Sequence, residues 1–226
     1  MTLTKVSSGT VKEQGLLAAE EVNQNGLYLL MKRLIDIFGS LCGLIFLSPI
    51  FLIVALFIKL EDPKGPVFFK QIRVGKDEKE FGMYKFRSMV VDAEEQLNDL
   101  LQLNEVSGAM FKMKEDPRIT KIGKFIRKTS IDELPQLLNV LKGEMSLVGP
   151  RPPLPREVKE YTLYDKQRLL VTPGCTGLWQ VTERNSVGFA EMVELDLTYI
   201  RKRNTWFDCK LILKTVLVLV GSKDAF

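Results

Sequence analysis

The most distinct pattern in the chain is a run from Ile37 to Ile58, 22 residues without a charge, which meets the length of about 20 that a membrane-crossing helix requires. Ser48-Pro49 stands near its middle. A proline in a helix interior removes a donor and clashes with the preceding turn, at about 3 kcal/mol, so the run is expected to break or bend there. Lys32 and Arg33 precede it, and Lys59, Lys64, Lys70 and Arg73 follow. Both flanks satisfy the positive-inside rule only if both stay cytoplasmic, which favours a helix-break-helix returning to the same leaflet. An ordinary spanning helix with a proline kink is the other reading, and physics alone divides evenly between them. Asp36, at the polar edge, is expected to pair with Arg33 or to sit among head groups.

Later segments change period. Residues 66 to 89 alternate, predicting a hairpin from Val67 to Arg73, a turn over Gly75-Lys76-Asp77, and a return from Phe81 to Met89 that sets Lys85 and Arg87 on one face. Asp92 to Val106 reads as an acidic amphipathic helix with Leu97, Leu100, Leu101 and Leu103 on its apolar side. Asp116 to Lys128 reads as a basic one, carrying Arg118, Lys121, Lys124, Arg127 and Lys128 among Ile119, Ile122, Phe125 and Ile126. Its charges form either a solvated face or a surface for phosphate groups at a membrane. A helix is predicted to start near Ile131, because Thr129 and Ser130 suit N-caps and Leu134, Leu137, Leu138 and Leu141 recur at helical spacing. Further helices are expected over Glu157 to Val171, Ser186 to Arg203 and Trp206 to Val220. The last contains Lys214 within an apolar stretch too short to span, so it is expected to lie along an interface. Residues 1 to 26, with few large apolar side chains, read as a loosely held extension with a short helix around Leu16 to Val22 and no cleaved signal peptide.

Composition narrows the chemistry. Histidine is absent, which removes imidazole bases, Ser-His-Asp triads and His-ligated zinc. The three cysteines, Cys42, Cys175 and Cys209, are scattered without metal or disulfide spacing, fitting a reducing, cytosol-facing location. Thirty-two basic and 28 acidic residues are interspersed for a net charge of +4, so a nucleic-acid footprint is not indicated and anionic lipid or phosphate is the favoured partner.

One stretch concentrates the remaining candidates: Arg127 to Pro153, RKTSIDELPQLLNVLKGEMSLVGPRPP. Asp132 and Glu133 fall in the first turn of the predicted helix, where free N–H groups and the helix dipole would keep an aspartate ionised and favour a docked phosphate. The competing reading is a capping box in which Glu133 bonds back to Ser130. Arg127 and Lys128 before the acids, and Gly149-Pro150-Arg151-Pro152 after the helix, supply fixed cations suited to phosphate chemistry.

Ser130 to Leu137, Asn139 to Gly143 and Met145 to Pro152 resemble the bacterial sugar transferase family, the monotopic polyprenyl-phosphate phosphoglycosyl transferases. The resemblance extends through Lys85-Phe86-Arg87-Ser88-Met89, Asp116-Pro117-Arg118-Ile119-Thr120 and Pro173 to Val181, covering about residues 31 to 226. It implies a re-entrant membrane helix broken at Ser48-Pro49. The expected fold is therefore α+β, mainly helical: an extension over 1–30, a membrane-inserted helix-break-helix over 31–60, and a cytosolic catalytic domain over 61–226 with a β-hairpin and interfacial amphipathic helices. Without the multi-helix N-terminal region of large members, the sequence given resembles a minimal catalytic unit, expected at the cytoplasmic face of a bacterial membrane.

The activity implied is transfer of a hexose-1-phosphate from a UDP-sugar to undecaprenyl phosphate, the initiating step of exopolysaccharide, capsule or O-antigen synthesis. Asp132 is then the nucleophile, forming an aspartyl-phosphosugar. A carboxylate facing a diphosphate needs neutralising charge, so Mg2+ is expected, with Glu133 as its candidate ligand. Arg127 and Arg151 are expected to bind phosphate, with Lys85, Arg87 and Arg118 as further candidates. Leu178-Trp179-Gln180-Val181 resembles members using UDP-glucose or UDP-galactose, although Glu183-Arg184 stands where such members show Gly-Arg. Homo-oligomerisation is left open. Two other classes compete: a non-enzymatic adaptor whose basic helix binds anionic lipid, and a membrane phosphohydrolase using the same aspartate with water.

Overall fold

The computed structural model describes residues 15–100, 102, 113, 115–182 and 188–221. A 3₁₀ turn at Ala19–Glu21 occupies the place of the short helix expected there. The first long helix, α1 (Gly26–Phe46), starts where Asn25 accepts from the Leu27 and Tyr28 N–H groups, five residues before the expected boundary at 31. Leu47 interrupts it, and Ser48-Pro49 opens α2 (Ser48–Glu61), where a first-turn proline needs no donor. The Ser48 hydroxyl donates to the Ile45 carbonyl, 2.8 Å away, at the end of α1. The two helices bend by 58°, and among the described residues no single helix is long and apolar enough to cross a membrane. The break thus lies one residue before Ser48-Pro49. On the outer surface Leu34, Phe38, Phe46, Leu52 and Leu56 are exposed, and an exposed apolar group of this kind marks a membrane or partner contact.

The inner face of α1 is polar. Tyr28, Lys32, Asp36 and Ser40 recur every fourth residue and so form one stripe, and all four are buried. Lys32 pairs with Asp208 at 3.0 Å and donates to the Val148 carbonyl. Arg33 donates to the Val140 and Leu141 carbonyls at 2.6 and 2.7 Å. Asp36 accepts from the Ser146 hydroxyl and the Leu147 N–H at 2.9 and 2.8 Å. Pairing of Asp36 with Arg33 or with head groups is therefore corrected: burial of a carboxylate requires fixed donors, and the next layer of the protein supplies them. Gly39 allows this approach, since a Cβ there would lie 2.7 Å from Leu147 Cδ1.

The hairpin pairs β1 (Phe68–Val74) with β2 (Glu80–Phe86), Phe68 opposite Phe86, within about two residues of expectation except at the end of β2. Beyond it, turns occupy residues 91–96 and a single helical turn, α3 (Leu97–Leu100), follows. The first part of the expected acidic helix, Asp92 to Gln96, is thus not helical, and most of its second half lies outside the described residues. The basic helix α4 (Lys121–Lys128) is shorter than expected, because Pro117 and a Thr120 side chain accepting from Gly123 N set its start. Glu61 at the end of α2 caps it too, accepting from Lys121 N and Ile122 N at 2.8 and 3.0 Å. Val54 and Ile58 of α2, Phe86 and Ile126 form one apolar cluster.

After α5 (Gln136–Lys142) the chain turns at Gly143, whose φ of 84° suits glycine, into β3 (Ser146–Val148). The single helix expected over Glu157 to Val171 is replaced by α6 (Pro155–Val158), α7 (Leu163–Lys166) and a 3₁₀ turn, Gln167–Leu170. Thr162 forms a capping box with Asp165 and starts a new helix there. The chain then returns as β4 (Gly174–Thr176), parallel to β3 with Ser146 opposite Gly174. The remaining helices are α8 (Leu178–Thr182), α9 (Phe189–Lys202) and α10 (Thr205–Gly221). Val148, Val193, Leu197, Ile200 and Leu211 from these elements share the largest core. Among the described residues the architecture is mainly helical with two small sheets.

Candidate active site

Helix α4 ends at Lys128, Thr129 bonds back to the Phe125 carbonyl at 2.9 Å, and Ser130 turns left-handed at φ 56°. This reversal sets Ile131–Glu133 as a separate 3₁₀ turn, and α5 begins only after Pro135. The α-helix expected from Ile131 is corrected accordingly. Ser130 makes no side-chain cap, so the capping box is not formed. Glu133 instead accepts from Lys85 Nζ at 2.7 Å and from Arg151 Nη2 at 3.1 Å, both on Oε1. Two cations outcompete one backbone N–H for a carboxylate.

Lys85 reaches Glu133 because Asn139 binds α5 to β2. Its amide accepts from Tyr84 N at 2.9 Å and donates to the Gly82 carbonyl at 2.8 Å, continuing the strand ladder with a side chain. Arg151 arrives on the loop that follows β3. Asp132, 7% exposed, lies between these groups and accepts no side-chain hydrogen bond among the described residues. The structure thus gathers Asp132, Glu133, Lys85 and Arg151, with the half-buried Arg127 acting on Asp132 through its charge.

Burial pushes the Asp132 carboxyl up to about 6; Lys85 opposes this, Glu133 adds to it, and Arg127 and Arg151 oppose it. The expectation that a helix terminus would keep it ionised is corrected, because a three-residue 3₁₀ turn has no such dipole and desolvation dominates. Burial would raise Glu133 as well, but Arg151 and Lys85 hold it well below the carboxylate range. Burial lowers Lys85 against the pull of Glu133. Adjacent carboxylates thus differ in kind: Glu133 is a fixed anion, and Asp132 is desolvated, unpaired and poised near neutrality. Such a group is suited to attack an electrophile held by the surrounding cations.

Two sequence candidates go elsewhere. Arg87 pairs with Asp62 at the end of α2, and Arg118 is bonded to Asp116 at 2.6 Å and to the Ala93 carbonyl. β2 extends only to Phe86, three residues short of the expected Met89, and Arg87 just beyond it still donates its N–H to the Val67 carbonyl at 2.9 Å. Ser48 and Pro49 lie at the bend between α1 and α2. Residues that sequence reasoning overlooks include Asn139, the Lys32–Asp208 pair, Arg73, and the buried Arg168–Asp196 pair at 2.6 Å. The available signal is charge inside apolar elements: Lys32 and Asp36 at helical spacing, and Asp196 amid Leu195 and Leu197.

Among the described residues no three His, Cys, Asp or Glu side chains converge as a metal cage. Glu133 uses only Oε1 for its cations, so its Oε2 is left to join Mg2+, which is commonly held by one or two carboxylates beside substrate phosphates.

Comparison with known proteins fits this geometry. Residues 27–222 match the model of the bacterial sugar transferase family. The chain is 51% identical over 199 residues to galactosyl transferase CpsE of Streptococcus agalactiae, covering 86% of this chain and 43% of that protein. It is 44% identical to an undecaprenyl-phosphate galactose phosphotransferase of Salmonella typhimurium, over 87% of this chain and 42% of the relative. It is 36% identical to exopolysaccharide production protein ExoY of Rhizobium meliloti, over 86% and 88% respectively. The chain thus spans less than half the length of the first two relatives and most of the third. A family match running from the first turn of α1 to the end of α10 leaves one conclusion: this chain belongs to the bacterial sugar transferase family.

Proposed function

We propose that the protein is a phosphoglycosyl transferase that moves a hexose-1-phosphate from a UDP-sugar to undecaprenyl phosphate at the cytoplasmic face of a bacterial membrane. The observation that carries the reading is Asp132, a buried carboxylate without a hydrogen-bond partner among the described residues, facing Lys85, Arg127 and Arg151. An Asp132 oxygen attacks the phosphorus that bears the sugar. The bond from that phosphorus to the UMP oxygen breaks, UMP leaves, and an acyl phosphate carrying the sugar remains on Asp132. An oxygen of undecaprenyl phosphate then attacks the same phosphorus and releases the carboxylate, giving undecaprenyl-diphosphate-sugar.

Lys85, Arg127 and Arg151 bind the donor phosphates and offset the charge that develops on them. Glu133 would hold Mg2+, which supplies further neutralisation of the diphosphate when bound. Glu133 also fixes Lys85 and Arg151 in place, so the cradle is ordered before substrate arrives. The relatives named for galactose and the glucose phosphotransferase of Komagataeibacter xylinus, 40% identical, support UDP-galactose or UDP-glucose as donor.

The bent pair α1–α2 supplies the membrane attachment as a re-entrant hairpin. Its apolar outer face meets lipid, and its polar inner face stays with the catalytic layer. Membranes containing the protein, given UDP-galactose or UDP-glucose and undecaprenyl phosphate, are expected to release UMP and form lipid-linked sugar. Vesicle binding without turnover would favour a lipid adaptor, and free sugar phosphate would favour a hydrolase.

A further inference from the structure

The loop carrying Arg151 is Pro150-Arg151-Pro152-Pro153. Three prolines leave the Arg151 N–H as the one main-chain donor among its four residues, so local hydrogen bonds contribute little to its shape. Each of its four carbonyls is held from elsewhere. Pro150 O accepts from Gly174 N at 2.9 Å and Pro153 O from Val74 N at 2.9 Å. Between them Arg151 O accepts from Arg168 Nη2 at 3.3 Å, and Pro152 O from Arg73 Nη1 at 2.9 Å. Donors from β1, β4 and the 3₁₀ turn at Gln167–Leu170 thus converge on four consecutive peptide groups.

The two arginines are themselves fixed. Arg73, 8% exposed, places Nε and Nη2 on Gln71 Oε1 at 3.2 and 2.8 Å. Arg168, 3% exposed, donates to Tyr161 OH at 2.8 Å and to Asp196 at 2.6 Å. Arg73 has no ion-pair partner among the described residues, and it stands close enough to Arg151 for the two positive charges to oppose each other. Burial, with Arg151 adding to it and Glu157 and Glu133 opposing it, lowers the Arg73 guanidinium to about 10. A buried cation near another cation is a poor stability device, yet a rigid planar fork is a good one for fixing a carbonyl in direction.

We propose that Arg73 and Arg168 are positioning residues, holding the main chain of Arg151 so that its guanidinium meets Glu133 and the donor phosphate. This rests on the phosphoglycosyl transferase reading above. Neither arginine touches substrate; each acts through Arg151.

The test is a double-mutant cycle in the full chain, with UMP release as readout. Arg73→Ala should lower kcat/KM by about tenfold or more, because small misplacements of a phosphate clamp are costly. In an Arg151→Ala background the same change should cost less than about threefold, since the group it positions is gone. A merely structural role would lower activity by the same factor in both backgrounds, and that result would overturn the proposal. Deuterium uptake over residues 147–154 gives a second readout independent of turnover. It should rise in Arg73→Ala, and unchanged uptake there would also overturn the proposal. If Arg73→Ala fails to fold, Arg73→Lys, which keeps the charge and loses the fork, takes its place in both measurements. If the wild type releases no UMP, the functional reading fails and the exchange experiment still decides the clamp.

Discussion

Replacing Asp132 with asparagine is expected to abolish UMP release and, at neutral pH, to make the protein more stable. The reason is linkage. Burial raises the Asp132 carboxyl from its ordinary 3.8 to about 6 in the folded protein. Below pH ~3.8 both folded and unfolded chains are protonated at this position and no penalty arises. Between ~3.8 and ~6 the unfolded chain ionises first, and the penalty grows with pH. Above ~6 it is complete, and a gap of about 2 pH units at about 1.36 kcal/mol per unit gives about 3 kcal/mol. Asparagine has the shape of the neutral acid and escapes this cost. At about pH 7.5 the Asp132→Asn variant should therefore unfold several degrees above the wild type, and the difference should vanish near pH ~4. Thermal unfolding in detergent at both pH values, followed by tryptophan fluorescence, measures it. Equal or lower stability of the variant at the higher pH would show that Asp132 is a satisfied structural anion and would refute the burial argument.

Three further outcomes follow from the same geometry. UMP release should rise with pH through about 6 and then level, because the attacking carboxylate must be ionised; a flat initial-rate profile from about pH 5 to 8 would contradict this. Asn139→Ala, which removes a fully buried amide and leaves Tyr84 N and the Gly82 carbonyl without it, should cost about 2–4 kcal/mol in denaturant unfolding, and a loss below ~1 kcal/mol would mean that water replaces the amide. Chelation by EDTA should stop UMP release and excess Mg2+ should restore it; undiminished turnover in EDTA would remove the metal from the account.

Much of the fold was legible where a single physical rule dominated. The break beside Ser48-Pro49 follows from proline geometry and the hairpin from alternation, so both stand close to expectation. The reading failed where tertiary partners overrode local preference. Ser130 and Glu133 have the spacing of a capping box, but Lys85, 48 positions before Glu133, and Arg151, 18 after it, claim the carboxylate instead, and no local pattern reveals them. Asp36 looks like a residue at a membrane edge because its partners, Ser146 and Leu147, come from a strand more than a hundred positions away. Lys32, Arg33 and Arg73 count as topological charges in the sequence, yet all three bind protein groups. The positive-inside argument for a hairpin therefore rests on fewer free cations than the sequence suggests, and the bend and the buried polar stripe of α1 carry more of it. Within the site, the acid pair and Arg151 were legible from charge clustering. The positioning network of Asn139, Arg73 and Arg168 was not, because a buried polar residue and a solvated one look alike in a sequence.

The central claim is a covalent bond between Asp132 and the sugar phosphate, and intact-mass measurement of the protein after brief exposure to UDP-galactose or UDP-glucose, without undecaprenyl phosphate, tests it most directly. The account predicts a gain of one hexose phosphate, mapped to Asp132 and absent from Asp132→Asn. An unmodified mass in a preparation that turns over when the lipid acceptor is supplied would contradict it.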